Sequence, residues 1–377
     1  MRAAFTGGGT AGHLYPALAV AQRFLRRAPE AEALFLAARR PLDQELMAQH
    51  GLHHRLLSAT GMPYGFSLQT AGSLARLAQG AWQAWCAYAS WRPAVVFGAG
   101  GYVSAAAVPP AAWRQIPVVI HVSDAQPDRT NLALARYART ITVAFEAAAR
   151  HFPAHKTVVT GQPVRDEILA TNRDAARCEL GYGADDFVLL VTGGSQGARS
   201  LNQALVSALP ALARAEIRVY HLTGHLDYDG VIAATRDLQV NDWYRAGPYE
   251  ARMELALAAA DLVVMRAGSS SLAEAAAWGL PMVLVPYPHA GGHQRHNALP
   301  LASSGAALLV EDSELTGEWL AGTVRELARD TARRATMSLA ARAWGSREAA
   351  DRIADEVLRA GRGLWDDDLS QTTPDGD

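Results

Sequence analysis

The sequence predicts an α/β protein made of two Rossmann-like, doubly wound halves. Three observations carry this. Short apolar runs that suit strands buried on both faces recur at residues 2–6, 33–36, 94–97, 117–121 and 141–145, and again at 187–192, 261–265 and 280–286. Two glycine turns lead from such a run into a helix, Gly7-Gly8-Gly9-Thr10-Ala11-Gly12-His13 and Gly193-Gly194-Ser195-Gln196-Gly197-Ala198-Arg199. The length of 377 residues exceeds one average domain and suits two.

In the first half, the strand at 2–6 turns through Gly7–His13 into a helix, where Pro16 fits the first turn and Ala17, Leu18, Val20, Ala21, Phe24 and Leu25 form the apolar stripe. Gly7, Gly9 and Gly12 match G-x-G-x-x-G, but a dinucleotide site would also want an acid at the end of the second strand. There the chain reads Ala37-Ala38-Arg39-Arg40, which argues against NAD and leaves only NADP, through Arg39. The glycines instead let backbone approach a phosphate or sugar. Farther on, Trp82, Trp85, Tyr88 and Trp91 fall three residues apart, with Leu74, Leu77 and Ala81 upstream. They read either as a core face or as a helix that dips into a bilayer surface. The run at 94–97 leads into Gly98-Ala99-Gly100-Gly101-Tyr102-Val103-Ser104, and Thr160 to Arg165 reads as a turn-rich join before the pattern restarts.

In the second half, the run at 261–265 leads into Arg266-Ala267-Gly268-Ser269-Ser270-Ser271-Leu272-Ala273-Glu274. Strand, small-residue loop and helix aim a helix N-terminus at the carboxyl edge of the sheet, where backbone N–H groups and serine hydroxyls favour an anion. Glu274, one turn on, is a candidate to accept a sugar diol. Ser271-x-x-Glu274 reads equally as a capping box that needs no ligand. Helices at about 318–359 are amphipathic and Arg-rich, and the tail from Arg362, with Asp366-Asp367-Asp368, reads as disordered.

Bulk properties narrow the function. A net charge of −2 predicts no attraction to nucleic acid. Lys156 is the only lysine, so a phosphate must be held by Arg, hydroxyls or backbone N–H groups. With only Cys86 and Cys178, neither a disulfide framework nor a cysteine zinc site is expected. The glycine run at Gly7 comes too early for a signal peptide, and no apolar run reaches membrane-spanning length, so the chain reads as cytosolic.

Taken in order, Gly7 to His13, Gly98 to Ser104, Thr160 to Arg165, Gly193 to Arg199 and Arg266 to Asn297 resemble the motifs of the MurG family. These are bacterial N-acetylglucosaminyltransferases that convert lipid I to lipid II in peptidoglycan synthesis. The resemblance covers roughly residues 1 to 345. It implies a GT-B fold, two Rossmann-like domains facing a central cleft, and no cofactor. It also implies an inverting transfer from UDP-N-acetylglucosamine to an undecaprenyl-linked muramyl-pentapeptide at the cytoplasmic membrane surface, serving cell wall biogenesis, cell shape and cell division. The domains implied are 1–162 on the acceptor and membrane side, with a helix at about 341–361 packing back on it, and 163–340 for the UDP-sugar, before the tail at 362–377.

Carried over by position, Arg165, Ser195, Ser269, Ser270, Ser271, Leu272, Ala273, Glu274 and Gln294 match donor-contacting residues, and Glu250 the residue whose backbone meets the uracil. Thr10, Ala11 and Gly12 match the loop at the sugar and diphosphate, and His13 the family's functionally important histidine. The family's Glu-Gln-Asn after the strand ending at His121 is here Val122-Ser123-Asp124, so Asp124 stands where an asparagine meets the donor sugar. Gly291-Gly292 replaces a usually polar pair.

The acceptor hydroxyl must lose a proton in such a transfer. His13 is one candidate to take it, read otherwise as a hydrogen-bonder at a helix start, and Asp124 is the second. Asp227-Tyr228-Asp229 spells a D-x-D, but on a polar loop and not directly after an apolar strand, so no metal is expected. A different UDP-sugar-dependent lipid glycosyltransferase, a 2-epimerase on the same fold, or a non-catalytic sugar-nucleotide-binding scaffold are the alternatives.

Overall fold

The computed structural model describes residues 1–9, 11–61, 68–194, 197–238, 242–288 and 292–364. The chain divides into two compact units, Met1–Pro163 together with the stretch from Glu348, and Val164–Arg347. In the first, strands β1 (Arg2–Thr6), β2 (Glu32–Ala38), β3 (His53–Leu57), β4 (Val95–Gly98), β5 (Val118–Val122), β6 (Thr140–Val143) and β7 (Thr157–Val159) form one sheet in the order β3-β2-β1-β4-β5-β6-β7. In the second, β8 (Val188–Thr192), β9 (Arg218–Leu222), β10 (Tyr244–Gly247), β11 (Leu262–Met265), β12 (Met282–Leu284) and β13 (Ala307–Leu309) follow the order β10-β9-β8-β11-β12-β13. Every pairing is parallel.

Parallel strands need helical crossovers, and crossovers on both faces require strands apolar on both sides. Period-two alternation delivers that: Ala3 and Phe5 enter one core layer while Ala4 enters the other. In the second unit Leu189 and Val191 enter one layer and Leu190 the other. The order reverses between β1 and β4 and between β8 and β11, so each unit has one crevice where successive connections leave for opposite faces. The expected two doubly wound halves are therefore present. The helix Ala349–Gly361 belongs to the first unit. Its Ile353, Ala354 and Val357 join the layer containing Phe24, while Arg27 bonds Asp351 at 3.1 Å and Asp355 at 2.8 Å.

Several sequence expectations need correction. The first helix is Ala11–Arg27, so Pro16 lies beyond its first turn and forgoes the bond to the carbonyl four residues back. The aromatic series lies on the helix Leu68–Trp91 but forms neither one core face nor one surface face. A three-residue spacing drifts by about 60° per step on an α-helix, so the four rings fan around the axis. Tyr88 is buried and donates to the Ala107 carbonyl at 3.0 Å, whereas Trp82 is 65% exposed. Tyr228 and Asp229 open the helix Tyr228–Thr235 and are not in a loop, and the Asp227 carboxylate before them accepts from Asn202 Nδ2 at 3.1 Å. The tail from 365 onward lies outside the described residues.

Each sheet buries one histidine near the carboxyl end of a strand. His121 Nε2 donates to Gln162 Oε1 at 2.9 Å, and its Nδ1 lies 3.0 Å from Thr142 Oγ1. His221 Nε2 donates to Asn202 Oδ1 at 2.9 Å, and the Tyr244 hydroxyl donates to its Nδ1 at 2.9 Å. Burial pushes the two rings down to about 4 and about 3. Both are neutral when folded, whereas the unfolded chain takes up protons near pH 6.5, so stability falls as pH drops from there toward 4. The loss is on the order of 3 kcal/mol per ring. Urea unfolding from pH 7 to pH 4.5 should show this decline, and His121→Asn and His221→Asn should each flatten it. Equal steepness in wild type and both variants would mean that other groups drive it.

Candidate functional site

In the first unit the turns after β1 and β4 flank the crevice. His13, two residues into its helix, crosses between them, and its Nδ1 donates to the Ala99 carbonyl at 3.0 Å. That bond leaves Nε2 as the basic nitrogen of the neutral ring. The ring has room only because glycines face it. A Cβ on Gly100 would stand 3.1 Å from His13 Nδ1, and one on Gly101 2.9 Å from His13 Cδ2. Both glycines have positive φ, +91° and +74°. Ser104, fully buried, donates to the Gly100 carbonyl at 2.7 Å and holds this turn shut.

Asp124 lies just past the end of β5, partly exposed. Asn131 went unnoticed in the sequence because it hides in an ordinary helix start, its N–H taken by Asp128 at 2.6 Å. Its side chain is nevertheless buried against Gly100, and its Oδ1 has no hydrogen-bond partner among the described residues. An orphaned acceptor beside a histidine is what a hydroxyl-bearing ligand would satisfy. Thr10 lies outside the described residues, as does the side chain of Ala11, while Gly12 is part of the helix that carries His13.

In the second unit the equivalent crevice is wired by arginine. Arg266, at the end of β11, is 9% exposed and donates to the carbonyls of Val285 at 3.1 Å and Pro286 at 3.2 Å and to Ser200 Oγ at 3.0 Å. It also pairs with Asp312 at 2.5 Å. Nothing local in the sequence marks Arg266 as a buried arginine with this many partners. Gln294 Oε1 accepts from the N–H groups of Ala267 at 3.2 Å and Tyr287 at 2.9 Å. Asn297 Nδ2 donates to the Ala267 carbonyl at 3.2 Å. Ala267 is thus fixed at both ends just before the helix Ser269–Trp278.

That helix is capped by Gly268, which makes Ser269, Ser270 and Ser271 its first turn and removes the capping-box reading, since Ser271 is no cap. Leu272 and Ala273 are core residues, 0% and 2% exposed, so only their backbone could meet a ligand. Glu274 faces Arg165: both Nε and Nη2 of Arg165 contact Oε1 at 3.1 Å, with the side chains only 12% and 13% exposed. The structure therefore joins two predicted residues that are distant in sequence. Glu250 is engaged by its own unit, its carboxylate accepting from the Tyr220 hydroxyl and from Arg252 N–H at 2.8 Å. Ser195 lies outside the described residues. Among the described residues no group of three or more His, Cys, Asp or Glu side chains could hold a metal.

Comparison with known proteins gives consistent findings. The model of the glycosyltransferase family 28 N-terminal domain matches residues 3–143, and that of the family 28 C-terminal domain residues 188–356. A UDP-N-acetylglucosamine–N-acetylmuramyl-(pentapeptide) pyrophosphoryl-undecaprenol N-acetylglucosamine transferase from Desulforudis audaxviator is 41% identical, spanning 96% of this chain and 100% of that one. Its namesake from Moorella thermoacetica is 39% identical, spanning 95% and 99%. Among solved structures, MurG of Acinetobacter baumannii superposes with a TM-score of 0.72 at 27% identity, covering 95% of this chain and 99% of the other. A UDP-GlcNAc 2-epimerase from Neisseria meningitidis, at 13% identity and a TM-score of 0.69, shares the fold alone.

Proposed function

The chain belongs to glycosyltransferase family 28, within the MurG family, and from that membership we propose that it moves N-acetylglucosamine from UDP-N-acetylglucosamine to the muramyl sugar of lipid I, giving lipid II for peptidoglycan synthesis. It is a UDP-sugar-dependent hexosyltransferase on a two-domain GT-B-like fold. The observation that carries the donor side is the Arg165–Glu274 pair on the serine-headed helix of the second unit. Helix N-terminal amides and serine hydroxyls suit a leaving diphosphate, whose charge grows as the bond to the sugar breaks. Glu274 Oε1 is committed to Arg165, and the second carboxylate oxygen is available to a ribose diol.

In the transfer the acceptor hydroxyl oxygen attacks the anomeric carbon, the bond from that carbon to the diphosphate oxygen breaks, and UDP leaves with the electron pair. The hydroxyl proton goes to a base. His13 suits that role through a free Nε2, fixed by its Nδ1 bond to Ala99, with Asp124 the second candidate. Thr10, Ala11 and Gly12 in the first unit, and Ser195, Leu272, Ala273 and Gln294 in the second, complete the proposed contacts, with the Glu250 backbone at the base.

A lipid-linked acceptor requires a membrane surface, and we assign the enzyme to the cytoplasmic face as a peripheral protein. No helix among the described residues is long and apolar enough to cross a membrane. Exposed apolar side chains support contact with its surface: Trp82 at 65%, Trp113 at 63% and Leu74 at 49%, with Arg114 lying over the Trp85 ring.

Three measurements test this reading. UDP release should require both UDP-N-acetylglucosamine and a lipid-linked muramyl acceptor, and His13→Ala should lower kcat about 10²-fold while UDP affinity holds. Near-wild-type turnover would remove His13 from the mechanism. Glu274→Gln, which keeps a partner for Arg165, should weaken UDP binding in calorimetry by on the order of 2 kcal/mol; an unchanged affinity would sink the diol contact. Trp82→Ser with Trp113→Ser should reduce liposome binding severalfold with little change in Tm, and undiminished binding would place the membrane face elsewhere.

A further inference from the structure

We propose that Asp43 and Arg40 are positioning residues that clamp the Gly8–Gly9 turn and thereby seat the start of the helix that carries His13. The inference rests on the transferase reading above but concerns residues outside its contacts.

Asp43 stands in the first turn of the helix Pro41–Gln49, a place where a carboxylate normally faces water, yet it is 1% exposed. Its Oδ2 accepts from the Ala38 N–H at 3.0 Å and stands directly against Gly8. Arg40, the residue before that helix, donates to the carbonyl of Gly9, whose other side is packed by the Tyr102 ring. The Gly8–Gly9 turn is therefore held by Arg40 at the Gly9 carbonyl and backed by the Asp43 carboxylate at Gly8.

Sterics close the clamp. A Cβ on Gly8 would fall 2.8 Å from Asp43 Oδ2 and 3.1 Å from Val103 Cγ2, and a Cβ on Gly9 would fall 2.2 Å from Tyr102 Cε1. Neither position admits a side chain without moving the loop. The seating reaches the imidazole directly, because the Cβ position of Gly101 lies 2.7 Å from the Gly8 carbonyl oxygen and 2.9 Å from His13 Cδ2. Gly101 packs against both Gly8 and His13, so a shift of Gly8 is passed through Gly101 to the ring.

The same arrangement explains why a dinucleotide-like turn lacks its acid. In that fold the carboxylate ends the second strand and faces a ribose. Here the carboxylate comes five residues after β2, as Asp43, and is turned inward onto the turn, where it takes the Ala38 N–H and faces Gly8. Burial pushes the Asp43 carboxyl above its usual range, against the pull of the Ala38 and Gly9 amides and of Arg40. Its charge is kept for the loop and not for a ligand.

The test uses the full-length protein with UDP-N-acetylglucosamine and a lipid-linked muramyl acceptor, comparing Asp43→Asn, Arg40→Ala and Arg40→Lys. The clamp requires kcat to fall about tenfold or more in Asp43→Asn and Arg40→Ala, with UDP affinity unchanged. Arg40→Lys, which keeps a donor for the Gly9 carbonyl, should recover most of that loss. A merely structural role would lower Tm or yield without changing kcat per folded molecule. In parallel, the His13 imidazole NMR signal, assigned by its absence in His13→Ala, should shift in the first two variants and return toward its place in Arg40→Lys.

If Asp43→Asn does not fold, the Arg40 pair decides alone. Wild-type kcat and an unmoved His13 signal in Arg40→Ala overturn the clamp. If wild-type protein releases no UDP, the transferase reading has failed instead, and the NMR comparison still decides the clamp.

Discussion

Everything chemical in this molecule hangs on the reversal of winding in a parallel sheet. On either side of the β1/β4 and β8/β11 pairs, connections depart to opposite faces, so the strand ends there are not covered by their own crossovers. Backbone N–H groups and helix starts converge on that uncovered edge. The glycine turns exist because only residues without Cβ allow two such connections to approach each other. Gly101 lies against both the Gly8 carbonyl and His13, and a Cβ on Gly197 would fall 2.3 Å from the Thr223 carbonyl oxygen.

Close approach needs fasteners, and in a chain with one lysine they are arginines. Arg266 serves two carbonyls, a hydroxyl and a carboxylate from one buried guanidinium. Arg177, 4% exposed, does the same farther from the site, donating to the carbonyls of Ala259, Gly183, Ala184 and Asp186 and pairing with Asp261 at 2.6 Å. A planar fork with five donors can satisfy several fixed acceptors at once, which an ammonium on a flexible stem does poorly. Lys156 shows the contrast: it reaches only the carbonyls of Ala135 and Ala138, at the end of a short helix.

The sequence made the central strands legible and the outer ones not. The strands β1, β8 and β11 carry near-continuous apolar runs buried on both faces, and the sequence places them to within a residue. The edge strands β3 and β7, written His-His-Arg-Leu-Leu and Thr-Val-Val, are largely exposed and carry no such signature. Strand β9 was hidden by the histidine within it, which is tolerable in a buried strand only because Asn202 and Tyr244 satisfy the ring. Site residues followed the same rule. Glycine and serine motifs are local and could be read. The Arg165–Glu274 pair, the buried Asn131 and the inward-facing Asp43 depend on contacts across the fold that spacing does not encode.

The segment from Val122 to Asp124 shows how a change of residues is absorbed without a change of fold. The family's Glu-Gln-Asn and this chain's Val-Ser-Asp each carry one carboxylate, moved here from the end of the strand to the loop beyond it. Val122 is fully buried in the core layer, and an apolar residue suits that position without needing a partner. The charge two residues on bears on His121, which is pulled upward by Asp124 and downward by His13, although burial outweighs both. A charged imidazolium at His121 would oppose a proton arriving at His13. Burial keeps that ring neutral, so His121 adds no charge beside His13.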